Sequence, residues 1–158
     1  MRVLQVWGVD ILCLYFSGMD MEKITVGQRP QSIAKAAGWV RSGACDFRMA
    51  LAEFLDEAKR LRPQGLEAAL AEEPALLSPS LAVRPFWQDA YLAAVAEHLS
   101  LQEGVEPPAW TDKAERFLNE AFFDNSGLVS LNALLLTESP LSFRRRNIFT
   151  ELKPLRRA

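Results

Sequence analysis

The sequence has little of what redox, metal and nucleophilic chemistry needs. Its 158 residues include one histidine, His98, and two cysteines, Cys13 and Cys45. A disulfide framework in a small secreted domain usually shows four or more cysteines, and zinc or iron sites draw on several His and Cys ligands. There is no CxxC pair, no GxxxxGK[ST] phosphate loop and no GxGxxG after a strand pattern. A Ser-His-Asp or Cys-His arrangement would have to be built on His98, and nothing around it in sequence supports one. Internal repeats and low-complexity tracts are also missing, as is a charge of one sign: 18 basic residues face 20 acidic ones, a net of −2. The expectation is a non-enzymatic protein with no catalytic residue, no metal and no cofactor.

What is present is enough apolar material for one core, 49% of the residues. The first stretch, MRVLQVWGVDILCLYFSG, is apolar but interrupted by Gln5 and Asp10. It is too short and too polar for a membrane span, and as a secretory signal it has one basic residue, an Asp inside the apolar run and no clean small-x-small cleavage site. Met19 and Met21 are plausible true starts. Residues 1–20 are therefore expected to be a non-core segment, an extension ahead of the true start codon, and 21–158 a single helical domain of a cytoplasmic protein.

Punctuation and periodicity place the helices. A short helix over Gln31–Val40 is followed by a break at Gly43. Asp46 is an N-cap for a helix whose apolar stripe is Phe47, Ala50, Leu51, Phe54, Leu55, Ala58 and Leu61, stopped by Pro63. Leu66–Glu73 reads as a short helix. A longer one starts near Pro85 and ends at Gly104. Thr111 with Asp112 and Glu115 predicts a helix over Lys113–Asn119. Leu128–Thr137, nearly all apolar, predicts a buried helix or strand, with helix favoured by its Leu and Ala content. Ser139-Pro140 predicts a capped start for a short helix over Leu141–Arg146. Strand signals are few, Val3–Val9 and Leu128–Leu136. The fold class expected is all-α, an irregular orthogonal array of short helices joined by proline-rich turns.

Charge is segregated along the chain. Nine acids and two bases between Phe86 and Pro140 give −7, and six bases against Glu151 after it give +5. Arg144, Arg145 and Arg146 are the densest cations. They are candidates for contact with a protein partner or a nucleic acid, and pairing with acids of the preceding region is the competing expectation. Trp110, in the connection after Pro107-Pro108, is a further candidate anchor, because tryptophan is enriched at interface hot spots. Glu53 and Glu57, one turn apart with Asp56 between, read as a solvated helix face.

Two resemblances and one missing signature bear on these features. In SIAKAAGWVRSG, Ile33, Ala34, Ala37 and Gly38 resemble the second helix and turn of tetracycline-repressor-type helix-turn-helix proteins. Trp39 stands where a small turn residue is usual, and no recognition helix follows. Helical ribonucleases of the HEPN class carry an arginine before their histidine where this chain has Tyr91, Leu92 and Ala93. From Phe47 onward, the segments FRMALAEFLDEA, DAYLAAVAEHLS, PPAW and ESPLSFRRRNIF resemble an uncharacterised family of small bacterial helical proteins. That family is met beside nucleotidyltransferase-like genes in toxin–antitoxin-type loci. The resemblance implies an interaction module, antitoxin-like or regulatory, with a nucleotidyltransferase-like toxin as partner. The alternative is a nucleic-acid-binding accessory protein using the C-terminal arginines. No membrane association is expected.

Overall fold

A computed structural model of the chain describes residues 29–79 and 85–151. Six α-helices are described: α1 (Ile33–Arg41), α2 (Phe47–Leu61), α3 (Leu66–Ala71), α4 (Trp87–Glu103), α5 (Asn132–Glu138) and α6 (Leu141–Arg144). Short 3-10 turns cover Ala109–Asp112, Ala114–Arg116 and Val129–Leu131. The molecule is mostly helical, but all-α needs correction. Phe122–Phe123 (β1) pairs in parallel with Ile148–Phe149 (β2). Two-residue strands leave no alternating pattern to read, and the pairing is set by tertiary context. The strand signal at Val3–Val9 lies outside the described residues.

Local signals account for several helix ends. The Ser32 hydroxyl accepts from Lys35 N at 3.2 Å, and the Asp46 carboxylate accepts from Met49 N at 2.9 Å. Each satisfies an amide that the first helical turn leaves unpaired. Gly104 closes α4 at φ 69°, a left-handed conformation that glycine adopts without a Cβ penalty. Two expectations fail here. The stretch Lys113–Asn119 is not an α-helix, since Ala109–Arg116 is taken up by tight turns. Ser139 does not cap α6: Pro140 holds the cap position, with its carbonyl accepting from Phe143 N and Arg144 N. The Ser139 hydroxyl instead donates to Leu135 O at 2.6 Å and accepts from Thr150 N at 2.8 Å, tying α5 to the end of β2.

The organising element is α4. From Asp89 to Ser100 every residue except His98 is buried. A helix apolar nearly all round must be covered on every side, and α3, α6, β2 and the 3-10 turns after Gly104 all pack on it. At its N-terminal end, Phe47 meets Trp87 and Tyr91 edge-on at 5.1 and 5.8 Å. Phe122 of β1 stacks on Trp87 at 4.6 Å. Phe143 of α6 meets Tyr91 edge-on at 5.0 Å. These rings join α2, α4, α6 and the small sheet into one core, each contact adding to the area buried.

α1 continues straight through Gly38, which is exposed and would meet nothing within 4 Å if given a Cβ. The helix-turn-helix resemblance, which needs a turn at Gly38, therefore has no counterpart in the fold. A glycine inside an exposed helix costs about 0.5–1 kcal/mol relative to alanine. Gly38→Ala is expected to stabilise the fold by that amount and raise the thermal midpoint. An unchanged or lower midpoint would contradict the continuous helix.

Candidate contact surface

The three consecutive arginines have three different fates. Arg144, in the last turn of α6, is exposed and pairs with no carboxylate among the described residues. Arg145, half-exposed, bridges Glu97 at 2.9 Å and Asp112 at 2.8 Å. Arg146 is 0% exposed. Its Nη1 donates to Glu97 Oε2 and to Ser142 O, and its Nη2 donates to Thr111 O at 2.8 Å. Burial pulls the Arg146 pKa below the ordinary arginine value, and Glu97 opposes that shift. The Phe117 ring lies 4.8 Å from the Arg146 guanidinium and 5.4 Å from that of Arg145. The run straddles the end of α6: Arg144 is its last residue, Arg145 its C-cap, and Arg146 lies beyond it in the turn that Asn147 closes at φ 57°.

Arg116 forms a parallel cluster, also fully buried. It donates to Pro74 O at 2.5 Å and lies 3.8 Å from Asp89, whose carboxylate accepts from Leu77 N at 2.6 Å and Ser78 N at 3.1 Å. The guanidinium sits 5.1 Å from the Trp110 ring. Trp110 itself is 4% exposed and donates its indole N–H to Leu70 O at 3.0 Å. Trp110 and Arg146 are thus interior residues. Of the four candidate contact residues only Arg144 and Arg145 reach the surface. Asp89 and Glu97, buried polar positions inside an apolar-looking helix, were the overlooked partners. Their spacing of eight residues, two turns of one helix, was the available signal.

His98 is half-buried at the edge of α4. Arg62 Nη2 donates to Gln102 Oε1 at 3.0 Å, which fixes that amide and turns its Nε2 toward His98 Nε2, also at 3.0 Å. The ring must accept there, so the neutral form is favoured. Burial, and then Arg62, lower its pKa from the ordinary 6.5. Among the described residues its recorded hydrogen-bond partner is Gln102, and no carboxylate bonds to it. Glu53 pairs with Arg29 at 3.1 Å and Glu57 with Arg60 at 3.2 Å. Among the described residues no three His, Cys, Asp or Glu side chains gather where they could hold a metal ion. Burial, and then Asp46, push the Cys45 thiol up, away from the reactive thiolate.

The largest departure is Leu128–Leu141. The sequence predicts a buried apolar element from Leu128 to Thr137. The structure buries only Leu135 of it, and exposes Leu128 (57%), Val129 (74%), Leu134 (43%) and Leu136 (47%), with Leu141 (68%) just beyond. The segment is anchored by Leu135, by Ser139 and by the Asn125–Asn132 side-chain bond at 2.6 Å. It is too short to wrap its whole apolar perimeter, so one stripe faces in and the rest faces water. Single exposed leucines are ordinary, but five large apolar side chains exposed within one segment make it a candidate contact surface.

No protein-family description, curated protein or solved structure matches this chain. Among the described residues no helix is long and apolar enough to cross a membrane.

Adjacent arginines are expected to behave oppositely. Arg144→Ala should change stability by no more than about 0.5 kcal/mol. Arg146→Ala or Glu97→Gln, each removing one partner of the buried pair, should cost about 3–5 kcal/mol by chemical denaturation. Equal effects at Arg144 and Arg146 would contradict the split. A second expectation concerns acid. A histidine whose folded pKa lies below its unfolded 6.5 binds its proton more readily when unfolded, so its stabilising contribution is present above that pH and lost as pH falls below it. His98→Gln should flatten the stability profile just below pH 6.5, measured as the denaturation midpoint.

Proposed function

We propose that this protein is a non-enzymatic helical interaction module whose contact surface is the apolar segment Leu128–Leu141, continued by Arg144. The observation that carries this reading is the exposure of Leu128, Val129, Leu134, Leu136 and Leu141 on a segment fixed to the core from within. Burying side chains of this size is worth about 1.5–3 kcal/mol each before the costs of association. Arg144, with no internal carboxylate, would supply a charged rim beside them, as expected of an interface with an apolar centre.

The partner we favour is a protein, a nucleotidyltransferase-like toxin encoded beside this chain in a bacterial genome, which the module would bind and restrain in the cytoplasm. This rests on the resemblance of Phe47 onward to proteins met in toxin–antitoxin-type loci. The nucleic-acid reading has less support, because Arg145 and Arg146 spend their charge on Glu97 and Asp112. Phosphate tracking needs several free cations on one face.

The test is coexpression with the nucleotidyltransferase-like product of the adjacent gene, followed by size-exclusion chromatography. A stable complex is expected with the wild type, weakened at least about tenfold by Leu134→Asp with Leu141→Asp. The variant should keep the thermal midpoint, since both positions are exposed. Failure of the wild type to form a complex, or a complex that the double variant retains, would overturn the reading.

A further inference from the structure

The Leu128–Leu141 surface carries little charge, and that charge has a definite arrangement. Between Asn125 and Arg144 the chain has one acid, Glu138, and one base, Arg144. Both are exposed, and neither has an ion-pair partner among the described residues. The charges around them are already matched: Arg145 and Arg146 by Glu97 and Asp112, and Asp124 by Arg48.

The two helices repeat one pattern with opposite sign. On α5, Leu134 and Glu138 stand four residues apart on one face, with Leu135 buried beside them. On α6, Leu141 and Arg144 stand three residues apart on one face, and Ser142 and Phe143 are buried. Each helix thus shows water a leucine followed, one turn on, by a charge, negative on α5 and positive on α6. Both helices pack on β2. Ser139, between them, is bonded to Leu135 O and Thr150 N, so the pair is presented as one fixed unit.

A surface with an apolar centre and one charge of each sign is complementary to a second copy of itself. In a twofold interface residue i meets j, and j meets i. Turning a second copy about such an axis sets α5 of one over α6 of the other, twice. Leucine then covers leucine, and the Glu138 of each copy faces the Arg144 of the other. The patch has no net charge, so nothing in it selects a strongly acidic or basic partner instead.

We propose that a second copy of this chain covers the Leu128–Leu141 surface, as a twofold dimer in which α5 of one copy packs on α6 of the other and Glu138 pairs with Arg144 across the axis. The proposal rests on the reading of Leu128–Leu141 as a contact surface and adds a regulation to it. The second copy and a protein partner use the same side chains, so the partner binds the monomer. Its apparent affinity scales with the monomeric fraction, and therefore falls as the concentration of this chain rises.

The test is sedimentation equilibrium of the full-length chain alone. A reversible dimer at micromolar concentration is expected for the wild type. Glu138→Arg and Arg144→Glu should each weaken it at least about tenfold, because twofold symmetry turns one substitution into two like-charge contacts. An equimolar mixture of the two variants should dimerise again at wild-type strength, since every charge contact between them pairs opposite signs. That rescue also separates charge repulsion from misfolding, because a variant that had lost its fold could not restore the other. A wild type that stays monomeric would overturn the proposal. So would a dimer that both reversals leave intact, which would put the contact on another surface, or a mixture no stronger than the single variants. No toxin is present in this readout: a monomeric chain that still binds it ends the dimer and keeps the contact surface.

Discussion

The structure depends on two carboxylates placed inside a helix that is otherwise apolar. Asp89 and Glu97 lie two turns apart on α4, both buried, in surroundings where an unpaired charge would cost several kcal/mol. Glu97 is met by Arg145 and Arg146, and Asp89 by Arg116 together with the amides of Leu77 and Ser78. The arginines in turn donate to backbone carbonyls, Thr111 and Ser142 for one and Pro74 for the other. Each carboxylate therefore fixes loops as well as side chains. The irregular passages on both sides of α4, which form no regular ladder, have their conformation set by charges on the helix between them.

This explains why so much of the chain after Gly104 is ordered without being helical. The turns from Ala109 to Arg116 are held by Trp110 on Leu70 and by Arg146 on Thr111. β1 and β2 are two residues long, yet each has its own reason to stay. Phe122 is stacked on Trp87, Phe123 on Phe149, and Thr150 is bonded to Ser139, Tyr91 and Asp124. Asp124 then pairs with Arg48 of α2. Polar contacts of this sort specify one arrangement among the many that apolar packing alone would tolerate.

Legibility followed the range of the interaction. Asp46 capping α2 and Gly104 closing α4 act within a few residues, and both are readable in the sequence. The Phe47–Leu61 stripe is readable for the same reason, since it needs only the helical period. Arg146 is a different case. Its carboxylate partner is 49 residues away, and a run of three arginines looks alike whether one is interior or all are solvated. The charge segregation was real as arithmetic, but much of it is cancelled internally between Glu97, Asp112 and the arginines after Leu141. Leu128–Thr137 misled in the opposite direction. Apolar composition implies burial only where a neighbour exists to cover it, and Leu135 is the one buried residue of α5.

The arginine run and the Leu128–Thr137 segment bear on function together. Had the arginines been free, the C-terminal region would have offered a cationic surface suited to phosphates. With Arg145 and Arg146 neutralised, the exposed character of that region is set instead by Leu128, Val129, Leu134, Leu136 and Leu141, with Arg144 at the margin. A surface dominated by leucine discriminates by shape and by exclusion of water, which is the chemistry of protein contacts more than of nucleic-acid backbones. The same pairing makes the surface rigid from below, because Arg146 anchors the residues just after α6 and Ser139 anchors those just before it. An apolar contact patch mounted on a pinned framework loses little freedom on binding. On the proposed reading, the buried ion pairs bear on recognition without facing a partner: they withdraw charge from the surface and hold in place the apolar side chains that remain there.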